Sequence, residues 1–263
     1  MAEKSGISWT DGTFNPWWGC SKVSPACDKC YADRVAKRYG WSNLWGAYAE
    51  RRFFSEKHMN EPRRWNDQAK KEGKVKRVFC GSMCDILESY SGERYTLDKL
   101  DSAREQTFKM AEETPYIEWL FLTKRIHNIQ AMIPYAWKKN PPKNIRFGVT
   151  VENQDFAYRY GLLTQLWSGN SFVSVEPILS KVSFANVGVK YPDWVIIGSE
   201  SGSGRRETKI EWVIDLINEC KENKTPVFVK QLEINGALTK TPFVNNKRYI
   251  DFPTQYLFKD VQE

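Results

Sequence analysis

The chain has 263 residues, 41% of them hydrophobic and 27% charged, enough to bury roughly 70–75% of its unfolded surface in an ordinary core; this excludes a disordered tail and a disulfide mini-scaffold. The formal net charge of +7 leans toward a polyanionic partner. No stretch approaches the ~20 apolar residues of a membrane span, and the opening MAEKSGISWTDG has no apolar secretory segment, so no membrane partner and a cytoplasmic location are expected.

Six cysteines in a reducing compartment point to metal binding or redox chemistry rather than structural disulfides. The first three, Cys20, Cys27 and Cys30, form C-x6-C-x2-C on a loop punctuated by Gly19 and Pro25 that enters a helix at Tyr31. Spacing alone leaves three readings. The thiolates can hold a [4Fe–4S] cluster with one iron open. A zinc ion closed by Cys80, Cys84 or His58 fits too, and so does a redox dithiol of Cys27 and Cys30 at a helix start.

From about Gly40 to Lys76 the pattern is irregular and reads as an insertion within one domain. Residues 51–77 carry ten basic side chains against four acidic ones, interleaved with Phe53, Phe54 and Trp65. Phosphate neutralisation beside aromatic rings suits a stacked or displaced base, which makes Arg51, Arg52, Arg63, Arg64 and Trp65 candidate nucleic-acid contacts.

Short apolar strands follow, each ending in a polar cluster: 75–80, 117–122, 145–149, 171–175, 194–197 and 226–229. Between them, Leu100, Ala103, Thr107 and Met110 share one helix face, and Ile210, Val213, Ile214, Ile217 and Cys220 share another, opened by a capping box at Thr208 to Glu211. This alternation predicts an α/β fold with parallel strands buried on both faces. A doubly wound sheet would satisfy it. A partial (β/α) barrel is favoured because polar residues recur after the C-terminal ends of the strands, where barrel enzymes gather their sites.

Among these clusters, Glu176 lies between apolar Val175 and Pro177, where solvation is poor and a partner is needed. Glu200 and Lys230 are comparable strand-end charges, able to pair or to meet substrate; the three are the candidate catalytic residues.

The segments Ile7 to Asp11, Phe14-Asn15-Pro16, the cysteine loop through Ala32, Ser82 to Asp85, Leu122 to Arg125, Gly148 to Gln154, Ser174 to Pro177, Trp194 to Gly202 and Val229-Lys230-Gln231 resemble, in this order, the phage Gp37/Gp68 family, a three-cysteine-motif, radical S-adenosylmethionine-like family. The resemblance implies a partial barrel of radical S-adenosylmethionine type. It further implies a [4Fe–4S] cluster on Cys20, Cys27 and Cys30, with S-adenosylmethionine chelating the open iron. Gly81, Ser82 and Met83 would form the turn for its methionyl amino group. Thr150, Glu152 and Asn153 would hold its ribose or sulfonium side, as carboxylate and amide acceptors suit those donors. An external electron donor, flavodoxin or dithionite in vitro, would drive formation of a 5′-deoxyadenosyl radical.

The expected reaction is modification or rearrangement of a hypermodified nucleobase, an amino-acid-modified thymine in phage DNA, in the cytoplasm of an infected bacterial host. Reaching such a base in duplex DNA requires flipping it out. The usual three-residue first gap of radical S-adenosylmethionine motifs is six here, and Lys29 stands where an apolar or aromatic residue usually precedes the last cysteine. Two other functions remain at this level: a zinc-stabilised, non-catalytic nucleic-acid-binding protein, and a radical enzyme acting on a protein or small molecule.

Overall fold

The computed structural model describes residues 3–254. Eight strands form one sheet: β1 (Gly12–Phe14), β2 (Lys76–Cys80), β3 (Ile117–Thr123), β4 (Ile145–Thr150), β5 (Asn170–Val175), β6 (Val195–Gly198), β7 (Val227–Ile234) and β8 (Ala237–Lys240). Their spatial order is their chain order, parallel from β1 to β7, with β8 returning antiparallel on β7. A doubly wound sheet reverses its order partway. This one never does, so right-handed crossovers keep the helices on one side and the twist curls the other side into a half-barrel. The partial barrel expected from the sequence is this curled α/β sheet.

Period-two alternation divides the strands into two layers. Helix α1 (Tyr31–Arg38) packs through Ala32 and Ala36 on a small separate core with Leu44 and Met83, whereas outward residues such as Val78, Trp119, Phe121, Phe147, Val173 and Val195 join the main core under the helices α2 (Glu61–Lys71), α3 (Arg94–Glu113), α4 (Tyr158–Leu166) and α5 (Ile210–Glu222). Inward residues Phe79, Leu120, Phe172, Ile196 and Phe228 form a smaller core with Trp9 and Trp194. Trp9 comes from the N-terminal segment, which fills the concave side; its ring centroid lies 4.8 Å from Phe79 and 6.1 Å from Trp194.

All six expected strands are present, and the α3 stripe is buried as read. Two expectations change. The capping box before α5 does not form: Lys209 is the N-cap, and Thr208 Oγ1 is buried without a hydrogen-bond partner. The irregular stretch 40–76 contains α2, a regular helix whose Pro62, Trp65, Asn66 and Ala69 are buried. A two-stranded ribbon, Trp17–Trp18 with Arg52–Phe53, ties the same stretch to the cysteine loop.

Candidate active site

Above the inner core, the next inward layer lies at the C-terminal ends of the parallel strands and lines a cleft of about 1090 Å³ counted with its open mouth. Cys20, Cys27 and Cys30 face it from the loop before α1, Gly81 to Met83 from the turn after β2, Thr150 from β4, and Glu176, Glu200 and Lys230 from β5, β6 and β7. The structure therefore brings together ten of the residues selected from the sequence.

The turn after β2 is locked to the cysteine segment. Gly81 has φ +99°, a region glycine adopts without a Cβ penalty, and a Cβ there would meet the Cys84 carbonyl oxygen at 3.2 Å. Asn15, 1% exposed, receives the Met83 amide at 2.7 Å on Oδ1 and donates through Nδ2 to Ser82 Oγ at 2.9 Å. The Tyr31 hydroxyl donates to the Ser82 carbonyl at 2.6 Å, and the Gly19 amide to that of Met83 at 3.0 Å. Asn15 sits within a segment of the family resemblance, but its role as the clasp is visible only in three dimensions.

A buried charge network holds the first cysteine. Arg51 and Glu88 form an ion pair at 2.9 Å with no side-chain exposure, and Glu88 Oε1 also receives the Ser21 amide at 2.9 Å. Arg125 bonds Asp85 Oδ2 at 2.9 Å and the Ser21 carbonyl at 2.7 Å. Burial raises the pKa of Asp85, but Arg125, the Thr123 hydroxyl and two backbone amides outweigh it and hold the carboxyl below its ordinary value. Burial, with Glu88 and Asp85, pushes the Cys20 thiol up to about 12 against the pull of Arg125.

Across the cleft, Lys230 pairs with Glu176, whose side chain is 15% exposed. Gly198 makes room for that carboxylate: a Cβ there would lie 3.1 Å from Glu176 Cδ. Glu200 pairs with Arg206 rather than Lys230, receiving its amide at 2.9 Å. Burial raises the Glu200 pKa, and the hydrogen bonds from Arg206 overcome this and lower it. The loop after β6 is bound to α1, because Arg34 donates to the carbonyls of Ser201 and, at 3.2 Å, Ser203, while Lys29 donates to that of Gly204.

Other expected contacts lie elsewhere. Glu152 is fully buried and held by Arg159 at 2.9 Å, and neither it nor Asn153 lines the cleft, although Glu152 Oε1 and Asn153 Oδ1 are buried without a hydrogen-bond partner. Trp65 is 1% exposed in the main core, and Arg51 is consumed by Glu88 and four backbone carbonyls; as placed, neither can meet nucleic acid. Arg63 and Arg64 remain at the surface, paired with Glu113 and Glu3. Arg52 lies 4.8 Å from the Trp18 ring centroid and 4.5 Å from that of Trp41.

The donor set fits an iron–sulfur cluster. Three thiols face one cleft, and Thr150 Oγ1 is buried at its wall without a hydrogen-bond partner. Among the described residues, no three His, Cys, Asp or Glu side chains converge as a single metal ion would need; in a cubane cluster each thiolate takes a different iron, so the sulfurs stand farther apart. None of the described helices is long and apolar enough to cross a membrane. A family model described as protein of unknown function (DUF5131) matches residues 4–248. No curated protein and no solved structure matches the chain.

Proposed function

This chain belongs to the family described as protein of unknown function (DUF5131), and we propose that it is a radical S-adenosylmethionine enzyme of the phage Gp37/Gp68 type that modifies or rearranges a modified nucleobase. The observation that carries this reading is the single cleft shared by Cys20, Cys27 and Cys30, the Gly81–Met83 turn and the Glu176–Lys230 pair. The thiolates of the three cysteines would hold the cluster. When bound, a [4Fe–4S] cluster with one open iron would supply the electron for reductive cleavage of S-adenosylmethionine, the chemistry that permits hydrogen-atom abstraction from a substrate.

The chain's own groups do the rest. Gly81 brings the backbone of its turn close to the cleft without a side chain in the way. Thr150 offers the wall an unpaired hydroxyl, suited to a ribose or carboxylate of the cofactor. Lys230 and Glu176, opposed across Gly198, can donate to and accept from a substrate's polar edge while their mutual pairing offsets the cost of burial. Trp9, Phe79 and Leu122 form an apolar floor that limits water.

The nucleic-acid contact shifts from 51–77 as a block to the surface where Arg52 packs between Trp18 and Trp41, flanked by exposed Tyr39. Trp18 and the cleft-lining Trp45 pack on the same small core as Cys30, which sets this surface beside the mouth.

The deciding experiment measures iron and labile sulfide after anaerobic reconstitution and records electron paramagnetic resonance of the reduced protein with and without S-adenosylmethionine. The expected result is a cubane signal that changes on addition and is lost in Cys27→Ala. A colourless protein holding zinc would overturn the reading and leave non-catalytic nucleic-acid binding in its place.

A further inference from the structure

Arg125 follows β3 and is 4% exposed, yet its guanidinium reaches the sulfur of the first cysteine. Nη1 donates to Cys20 Sγ at 3.5 Å and to Asp85 Oδ2 at 2.9 Å. Nη2 donates to the carbonyl and hydroxyl oxygens of Ser21 at 2.7 and 2.8 Å. Asp85 cannot swing away, because it accepts from Thr123 Oγ1 at 2.7 Å and from the amides of Lys124 and Leu87 at 3.0 and 3.1 Å. A planar fork anchored at three corners therefore keeps one N–H and a permanent positive charge aimed at one sulfur. The other two cysteines lack this: Cys27 Sγ has Ser24 Oγ at 3.9 Å, and no guanidinium hydrogen-bonds to Cys27 or Cys30 among the described residues.

We infer that Arg125 sets the reduction potential of the cluster by holding a hydrogen bond and a fixed positive charge on the Cys20 sulfur. The inference rests on the iron–sulfur reading above. One electron passes from an external reductant such as dithionite to the cluster, with no bond made or broken. The cluster gains one negative charge, so a cation fixed at a ligating sulfur stabilises the reduced form more than the oxidised form and raises the potential. The placement is one-sided, at the Cys20 corner, opposite in charge to the nearby Glu88, 3.9 Å from Arg125 Nη2. Arg125 is thus a positioning and tuning residue; it contacts a ligand of the cluster and none of the reacting atoms of the substrate.

The test is the double variant Arg125→Gln/Asp85→Asn, which removes the cation together with its counter-carboxylate and so leaves no lone charge between them. Iron and sulfide per chain are measured first, and then the reduced signal is followed in a dithionite titration without S-adenosylmethionine. The expected result is a wild-type cluster content with the reduction equilibrium displaced at least tenfold toward the oxidised form relative to Asp85→Asn, which shares the missing carboxylate, a potential lower by about 59 mV for one electron. A full cluster with an undisplaced equilibrium overturns the inference. Should the double variant fail to load, the single Arg125→Gln, which leaves Asp85 its Thr123, Lys124 and Leu87 hydrogen bonds, decides by the same displacement measured against the wild type. A wild-type protein that takes up no cluster overturns the parent reading instead, so the two failures are distinct.

Discussion

His58 shows how much one side chain's surroundings decide. It stacks on Phe54 at 4.0 Å, and its Nε2 lies 3.0 Å from the Asn15 carbonyl, which makes Nε2–H the donor. Burial lowers its pKa from 6.5 and outweighs the stabilising effect of that carbonyl. The folded state therefore favours neutral His58. Its contribution to stability is complete above the unfolded value of 6.5 and is lost as pH falls through the lower folded value. The only other histidine, His127, is exposed. Melting temperature measured from about pH 7.5 to 5.5 should fall more steeply in the wild type than in His58→Gln; parallel slopes would show that the ring is not held neutral. Residue-level reading of the sequence found the thiols and the strand-end charges, because their chemistry is intrinsic to the residue type. It missed Asn15, and it misassigned Arg51 and Trp65, because a basic or aromatic residue looks the same in sequence whether it faces solvent or, as here, is buried against Glu88 or on the core-facing side of α2.

Among elements, the strands were the most legible. A parallel strand covered on both faces must be apolar along its whole length, and those six runs are what the sequence displays. β1 was missed because three residues carry no periodicity, and β8 because Ala237–Lys240 is an exposed edge with little apolar content. Gly148 marks the inner layer from the opposite direction. Its Cα faces the Phe172 ring, and a Cβ would sit 2.3 Å from two ring carbons. Gly148→Ala should cost about 1–3 kcal/mol through overpacking, read as a lower denaturation midpoint, and Phe172→Leu in the same chain should recover part of that loss. Additive effects of the two substitutions would mean that the ring has room to move.

For the molecule as a whole, chain-order strands explain why residues spread from Cys20 to Lys230 converge: each adds its polar end to the same rim. This convergence was legible as a series of polar clusters, whereas the depth of the cleft and the N-terminal segment filling the curl were not, since neither follows from local pattern. The net positive charge gives a further expectation. If the surface around Arg52 and Trp41 binds single-stranded DNA, Trp41→Ala should weaken binding by about 1–3 kcal/mol through lost stacking, and Arg52→Ala should reduce the salt dependence by about one counterion. Unchanged affinity in both variants would remove the nucleic-acid substrate from the proposal while leaving the cluster chemistry standing.

The reach from Arg125 to Cys20 spans 105 residues, and that from Arg34 to Ser201 spans 167. On a ribosome adding roughly 5–20 residues each second, the cysteine loop is made some 5–20 s before Arg125 exists and longer still before the loop that Arg34 grips. For that interval the three thiols belong to a nascent segment without Asp85 or Arg125 beside Cys20. Their finished environment is assembled late, by strands synthesised after them. A cofactor loaded during that interval would meet three thiols without fixed partners, whereas one loaded afterwards would meet Cys20 half-buried and held by its guanidinium.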